Sequence, residues 1–192
     1  NDQRVKGMEL MKAVYCIGLN AWPQMEMREI ATPEPNPGEV LIRNEAWGVN
    51  FVDYLMCQGG YQLRPNPPFI PGMESAGRVV ALGNGVEGIQ IGDAFMAGHR
   101  PGAFAEETCV PVERLIPVPG GMYMDEAAGF RSAFITAYHG LVQGGRLQAG
   151  ETALIHGAAG GMGHAAVQVA KRLGATVVAT ASGEEKLRAL QS

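Results

Sequence analysis

Glu151-Thr-Ala-Leu-Ile-His-Gly-Ala-Ala-Gly-Gly-Met-Gly163 is the stretch that most restricts how this chain can fold. Thr152 to Ile155 read as a short apolar strand, and Gly157, Gly160, Gly161 and Gly163 crowd a tight turn. His164 to Leu173 then carry a helical apolar pattern through Ala165, Ala166, Val169, Ala170 and Leu173. Gly174 closes that helix, and Thr176 to Thr180 supply a second β-branched run. Strand, glycine-rich turn, helix and strand within about 30 residues make the opening unit of a dinucleotide-binding fold. Backbone N–H groups at the start of such a helix, with the positive end of its dipole, suit a pyrophosphate. The spacing is G-x-x-G-x-x-G rather than G-x-G-x-x-G, and a purely structural turn remains the alternative.

The residues ahead of this unit have a different texture. From Met11 to about Pro119, short runs alternate between Gly and Pro breaks: Lys12 to Ile17, Met25 to Ile30, Val40 to Trp47, Gly77 to Leu82, Ala94 to Met96, Ala105 to Val110 and Leu115 to Val118. The 27 glycines and 12 prolines fit strands linked by turns better than a helical bundle. A closed or partly closed β-barrel hides so many short edges most economically. Val52 to Cys57 read as a short helix with Asn50 as its cap. Met124 to Leu141 is Ala-rich and reads as two helices interrupted near Gly129. Ser182 to Leu190 starts another helix. Two strands and so little helix cannot cover both faces of a parallel sheet, so the chain reads as part of a longer one.

Charge and cysteine content exclude several function classes. The formal charge is −4 and no Lys/Arg cluster exceeds a pair, so no nucleic-acid surface is expected. Cys16, Cys57 and Cys109 are odd in number and widely spaced, which argues against a disulfide framework. With no signal peptide and no apolar run near the ~18 residues of a membrane span, the chain reads as soluble and cytoplasmic. Residues 1–10 read as a tag remnant or a disordered start, with Met8 or Met11 as the native beginning.

Four ordered stretches together resemble the medium-chain dehydrogenase/reductase superfamily, and within it the zinc-independent NADPH:quinone oxidoreductase branch. They are Gly48-Val-Asn-Phe-Val-Asp53, Phe69-Ile-Pro-Gly-Met-Glu-Ser-Ala-Gly77, Ala103-Phe-Ala-Glu106 and His156-Gly-Ala-Ala-Gly-Gly-Met-Gly163. The resemblance implies a two-domain α/β fold. A GroES-like β-barrel catalytic domain would span residues 11–130, and the first part of a Rossmann NADP-binding domain would span 131–192. It also implies a homodimer for the full-length protein and a small-molecule quinone or enone as substrate.

By the same resemblance, Gly157, Ala158, Gly160, Gly161, Met162 and Gly163 would hold the cofactor phosphates. Zinc-dependent relatives place Cys where Asn50 stands and His where Met73 stands, and both replacements remove good zinc ligands. His99, His139, His156 and His164 form no ligand spacing, so no zinc is expected. Packing or polar contacts are expected of His156, at the end of a buried strand, and of His164. Asn50 would lie at the nicotinamide end, polarising a substrate carbonyl or orienting the ring; helix capping is its plainer role. Thr136 would approach the nicotinamide carboxamide, against a role in ordinary helix packing. After Val177-Val-Ala-Thr180 come Ala181 and Ser182 where NAD sites carry an acid. Ser182 and Lys186 match a Ser-x-x-x-Lys turn that holds a 2′-phosphate, which points to NADPH. Glu184 and Glu185 weigh on the other side.

Three acceptor classes remain open. Reduction of a quinone yields an oxyanion that solvent can protonate, whereas an enoyl thioester needs a proton at its α-carbon. Tyr61, in a Gly-x-Tyr context like that of enoyl reductases, is the candidate donor, or else a loop aromatic under the pocket rim. Quinone reductases keep a tyrosine at the position of Leu55 and an arginine at that of Cys57, and this chain has neither. An NADPH-dependent quinone or conjugated-carbonyl reductase leads, followed by an enoyl-thioester reductase. A non-catalytic nucleotide-binding or crystallin-like protein comes third.

Overall fold

A computed structural model describes residues 9–20 and 24–190. The chain divides into two compact units between Gly129 and Phe130. Residues 1–8, where most of the supposed tag remnant lies, fall outside the described residues. Leu10, however, already belongs to the first strand, paired with Ala31.

The first unit is built from β1 (Leu10–Gly18), β2 (Gln24–Ala31), β3 (Glu39–Gly48), a short helix α1 (Phe51–Cys57), β4 (Glu74–Leu82), β5 (Ala94–Gly98), β6 (Glu107–Pro111) and β7 (Leu115–Pro117). Five strands form an antiparallel sheet in the order β6-β3-β4-β5-β7, and β1 pairs with β2. The two sheets are stitched by backbone bonds rather than by a continuous ladder. Val14 N–H donates to Phe104 O at 2.8 Å, Glu106 N–H to Lys12 O at 2.9 Å, and Cys16 exchanges bonds with Phe69 at 2.8 and 3.1 Å. The barrel is therefore partly closed. Val40, Ile42, Val79, Phe95, Ala97 and Val110 fill its core.

Several strand boundaries shift from the sequence expectation, and two of the shifts have a local cause. β4 starts at Glu74, three residues before Gly77, because Glu74, Ser75 and Ala76 are buried on both faces and show no alternation. Ala105, expected to open β6, instead makes an isolated bridge to Ala13. Its carbonyl accepts the Asn44 amide at 2.9 Å and the Trp47 indole N–H at 3.1 Å.

Helix α2 (Met124–Tyr138) crosses the division between the units. The expected break at Gly129 does not occur. Glycine costs only about 1 kcal/mol in a helix interior, and the alanines on its N-terminal side favour the helix through it. A π-helical turn, His139–Gly144, follows Tyr138.

The second unit adds β8 (Thr152–Ile155), α3 (Gly161–Arg172), β9 (Thr176–Ala179) and α4 (Glu184–Ala189). β8 and β9 pair in parallel, Thr152 opposite Thr176 and Ile155 opposite Ala179. Ala153, Ile155, Ala158, Ala165, Ala166, Ala170 and Ala137 form one core. β8 is buried on one face only, since Leu154 is 59% exposed beside Val178 at 48%. His156, expected at the end of a buried strand, lies beyond the end of β8 and is exposed. α3 begins at Gly161 rather than His164, so the last three residues of the glycine loop are its first turn.

Candidate functional site

Candidate residues lie in both units. In the second, Gly157 turns the chain with a left-handed φ of 62° that suits glycine. Gly160 N–H closes the turn on Gly157 O at 3.0 Å. Gly160 is the N-cap of α3, in extended conformation and with no side-chain cap. The N–H groups of Gly161, Met162 and Gly163 lie ahead of the first intrahelical acceptor and point along the helix axis. The first hydrogen-bonded amide is His164, whose N–H donates to Gly160 O at 2.7 Å.

The glycines have separable jobs. A Cβ on Gly163 would collide with Gly157 O and come within 2.7 Å of Ala158 Cα, so this residue lets helix and turn touch. A Cβ on Gly161 would meet nothing within 4 Å, leaving an open approach to the first-turn amides. Met162 beside it is 46% exposed. Ala158, expected to face the phosphates, does not offer its amide to a ligand: it is fully buried and its N–H donates to Thr180 O at 2.9 Å. Ala158 ties the loop to the end of β9. His156 Nδ1 reinforces the same junction, 3.0 Å from Thr180 Oγ1.

Beyond β9, Ser182 is exposed and Gly183 caps α4 with a φ of 88°. Lys186 is exposed in the first turn of α4. Glu184 leans along the helix to Arg188, with Oε2 3.1 Å from Nη2. Thr136, exposed on α2, donates its hydroxyl to Ser132 O at 2.7 Å. Its oxygen is therefore left as an acceptor rather than a donor.

In the first unit, Asn50 is the N-cap of α1, with φ −115° and ψ 156°. Asp53 completes a capping box with it and accepts the Asn50 backbone N–H at 2.8 Å. The Asn50 side-chain nitrogen donates to Glu74 Oε1 at 2.7 Å. Glu74 is 1% exposed. Gly48 makes room for it, because a Cβ there would lie 2.6 Å from Glu74 Cγ and collide with Ala128 O. Burial pushes the Asp53 carboxyl above its ordinary range and the Glu74 charge adds to this. The backbone N–H groups of Asn50, Gly72 and Met73 pull the other way.

Asp53 and Glu74 lie within the Gly48–Asp53 and Phe69–Gly77 motifs. The Asn-x-x-Asp spacing is a capping-box signal for Asp53. No local signal identifies Glu74 as the partner of Asn50, 24 residues earlier. Met73 offers its carbonyl to His99 N–H at 2.8 Å, while His99 Nε2 lies 2.9 Å from Ser75 Oγ. Tyr61 is half-buried in the loop after α1, and its carbonyl accepts Arg64 Nε at 3.2 Å. Around Asn50 the surface is apolar: Val49 is 80% and Phe51 72% exposed, with the Phe51 and Tyr54 rings 6.0 Å apart. Among the described residues no three His, Cys, Asp or Glu side chains converge as a metal site. No helix of the described residues is long and apolar enough to cross a membrane.

Residues 36–120 match the alcohol dehydrogenase GroES-like domain. In the sequence a glycine turn and βαβ unit follow that domain, and the likeness to solved structures extends through both. The chain belongs to the medium-chain dehydrogenase/reductase superfamily. It is 39% identical over 182 residues to the mouse (Mus musculus) synaptic vesicle membrane protein VAT-1 homolog-like, covering 94% of this chain and 44% of that protein. The quinone oxidoreductase of Thermus thermophilus, whose crystal structures include its complex with NADPH, is 41% identical with a TM-score of 0.82, over 92% of this chain and 55% of that one. The JamJ enoyl reductase is 32% identical with a TM-score of 0.82, over 96% and 58%. The chain thus spans less than half of the length of the mouse relative.

Proposed function

We propose that the protein is a zinc-independent, NADPH-dependent reductase of quinones or other conjugated carbonyls. The observation that carries this is the first turn of α3, where the amides of Gly161, Met162 and Gly163 have no side-chain cap and the space beside Gly161 is open. Bound NADPH would supply the hydride, and the chain's own residues bind, orient and exclude water. Gly157 and Gly160 shape the turn, the three first-turn amides take the pyrophosphate, and Ser182 and Lys186 take the 2′-phosphate. Glu184 is drawn toward Arg188, which lessens its weight against a 2′-phosphate. Thr136 Oγ1 accepts from the carboxamide NH₂ of the nicotinamide. Asn50 serves the reacting end, with Val49, Phe51 and Tyr54 as an apolar wall suited to a flat conjugated acceptor. A similar quinone oxidoreductase with an NADPH complex supports this reading.

The second reading is an enoyl-thioester reductase, favoured by Tyr61 in its Gly-Gly-Tyr setting and by likeness to the JamJ enoyl reductase. NADPH oxidation followed with a benzoquinone and with crotonyl-CoA separates the two. The proposal expects turnover of the quinone that survives Tyr61→Phe. Turnover of the thioester alone, abolished by Tyr61→Phe, overturns it in favour of the second reading. Binding of NADPH without turnover of either acceptor leaves a nucleotide-binding protein.

A further inference from the structure

Asn50 is fixed at both ends, and the second fixation comes from a buried carboxylate that the capping motif does not require. Its backbone N–H is held by Asp53 at 2.8 Å and its side-chain nitrogen by Glu74 at 2.7 Å. Capping asks only that the asparagine side-chain oxygen accept an N–H of the first turn, which leaves the side-chain nitrogen without a required partner. Burying Glu74 to 1% exposure takes a carboxylate out of water at considerable cost, which is offset only where its oxygens find donors. The backbone is shaped for this contact, since Gly48 leaves the space that the Glu74 side chain fills. The Glu74 oxygen accepts from the side-chain nitrogen, so the contact fixes which end of the Asn50 amide turns inward. The amide keeps one N–H to offer a ligand.

We infer that Glu74 is a positioning residue that orients the Asn50 amide by accepting one of its two N–H bonds, leaving the other N–H for the oxygen of a carbonyl acceptor. The inference rests on the reductase reading and deepens it. Asn50 is then a donor to the oxygen on which charge develops, and Glu74 acts through it without touching the acceptor. What matters is the accepting oxygen at that place, so glutamine can stand in for glutamate and leucine cannot.

The test has one readout without activity and one with it. The side-chain amide signals of Asn50, assigned by their loss in Asn50→Ala, are recorded for the full-length protein, Glu74→Gln and Glu74→Leu. The expected result is a hydrogen-bonded, exchange-protected N–H in the first two and its loss in the third. An Asn50 amide unchanged in Glu74→Leu overturns the inference whether or not the protein turns over. In the quinone assay, Glu74→Leu lowers kcat about 100-fold, the scale of losing one oxyanion donor, with the KM for NADPH unmoved. Glu74→Gln recovers most of that rate. Adding Glu74→Leu to Asn50→Ala costs nothing further, because the two residues act as one. Additive losses, or Glu74→Gln as slow as Glu74→Leu, overturn the inference. A wild-type protein that reduces no carbonyl defeats the reductase reading instead, and the amide signals still report on Glu74.

Discussion

Replacing Gly163 by alanine adds one methyl group between α3 and the turn, at a place where only backbone can answer it. The added Cβ would collide with Gly157 O and lie 2.7 Å from Ala158 Cα and 2.9 Å from Gly157 C. Neither neighbour is free to withdraw. Gly157 O accepts the Gly160 N–H, and Ala158 is buried and bonded to Thr180. Gly161→Ala is the internal control, in the same first turn with nothing within 4 Å of its Cβ. Both substitutions gain similar helix propensity, so the difference between them isolates the steric cost. Overpacking of this kind costs about 1–3 kcal/mol. For a chain of this length each kcal/mol moves Tm by roughly 2–4 °C, so Gly163→Ala should melt about 2–12 °C below Gly161→Ala. NADPH titration by nucleotide fluorescence completes the assay. Gly161→Ala should be at least as stable as the parent yet bind NADPH more weakly, because its methyl group stands in the approach to the amides. Equal melting temperatures for the two variants would refute the close contact. Unimpaired NADPH binding by Gly161→Ala would refute the phosphate site.

Three further outcomes follow from single contacts. Gly129→Ala should raise stability by about 0.5–1 kcal/mol in thermal or denaturant unfolding, since Gly129 sits inside α2 with open space where a Cβ would go. Thr136→Val should leave α2 intact and weaken NADPH by about one hydrogen bond, or roughly 5- to 10-fold, as read by titration. Burial pushes the Cys57 thiol up to about 12, with the Cys16 thiol beside it adding to the shift, and burial lifts Cys109 to about 11. Native protein should therefore resist alkylation by iodoacetamide at a pH of about 8 and react on unfolding. The same shifts make stability fall as pH rises. The unfolded thiols ionise near their ordinary 9.0 while the folded ones keep their protons until about 11 and 12, so the loss spans that window. Alkaline unfolding curves measure it.

The βαβ unit was legible because its signals are local. β-branched residues pair in β8 and β9, and glycines mark the turn that no side chain fits. Gly161 and Gly163 nevertheless lie inside α3, since an open or crowded Cβ site depends on what packs there and not on propensity. The same limit explains Gly129, whose break was expected from the residue type alone. β4 began earlier than its alternation suggested because burial on both faces erases the pattern at Glu74–Ala76. For the candidate site, Asn50 could be read as a cap from its place before an apolar run. Its bond to Glu74 joins the start of α1 to the start of β4 and exists only once β3 and β4 have paired. Ala158 shows the converse: it sits inside the loop motif, yet its amide is taken by Thr180 across the unit.

The loop from Gly157 to Gly163, with Ser182 and Lys186, is proposed as the NADPH site. Calorimetric titration of the protein and of Lys186→Ala with NADPH and with NADH tests it most directly. NADPH should bind more tightly than NADH, and removing the lysine should cost about 10-fold or more in NADPH affinity, the scale of one charge-assisted hydrogen bond. Affinity for NADH should not change. NADH bound as tightly as NADPH, or a lysine variant that binds both as before, would contradict it.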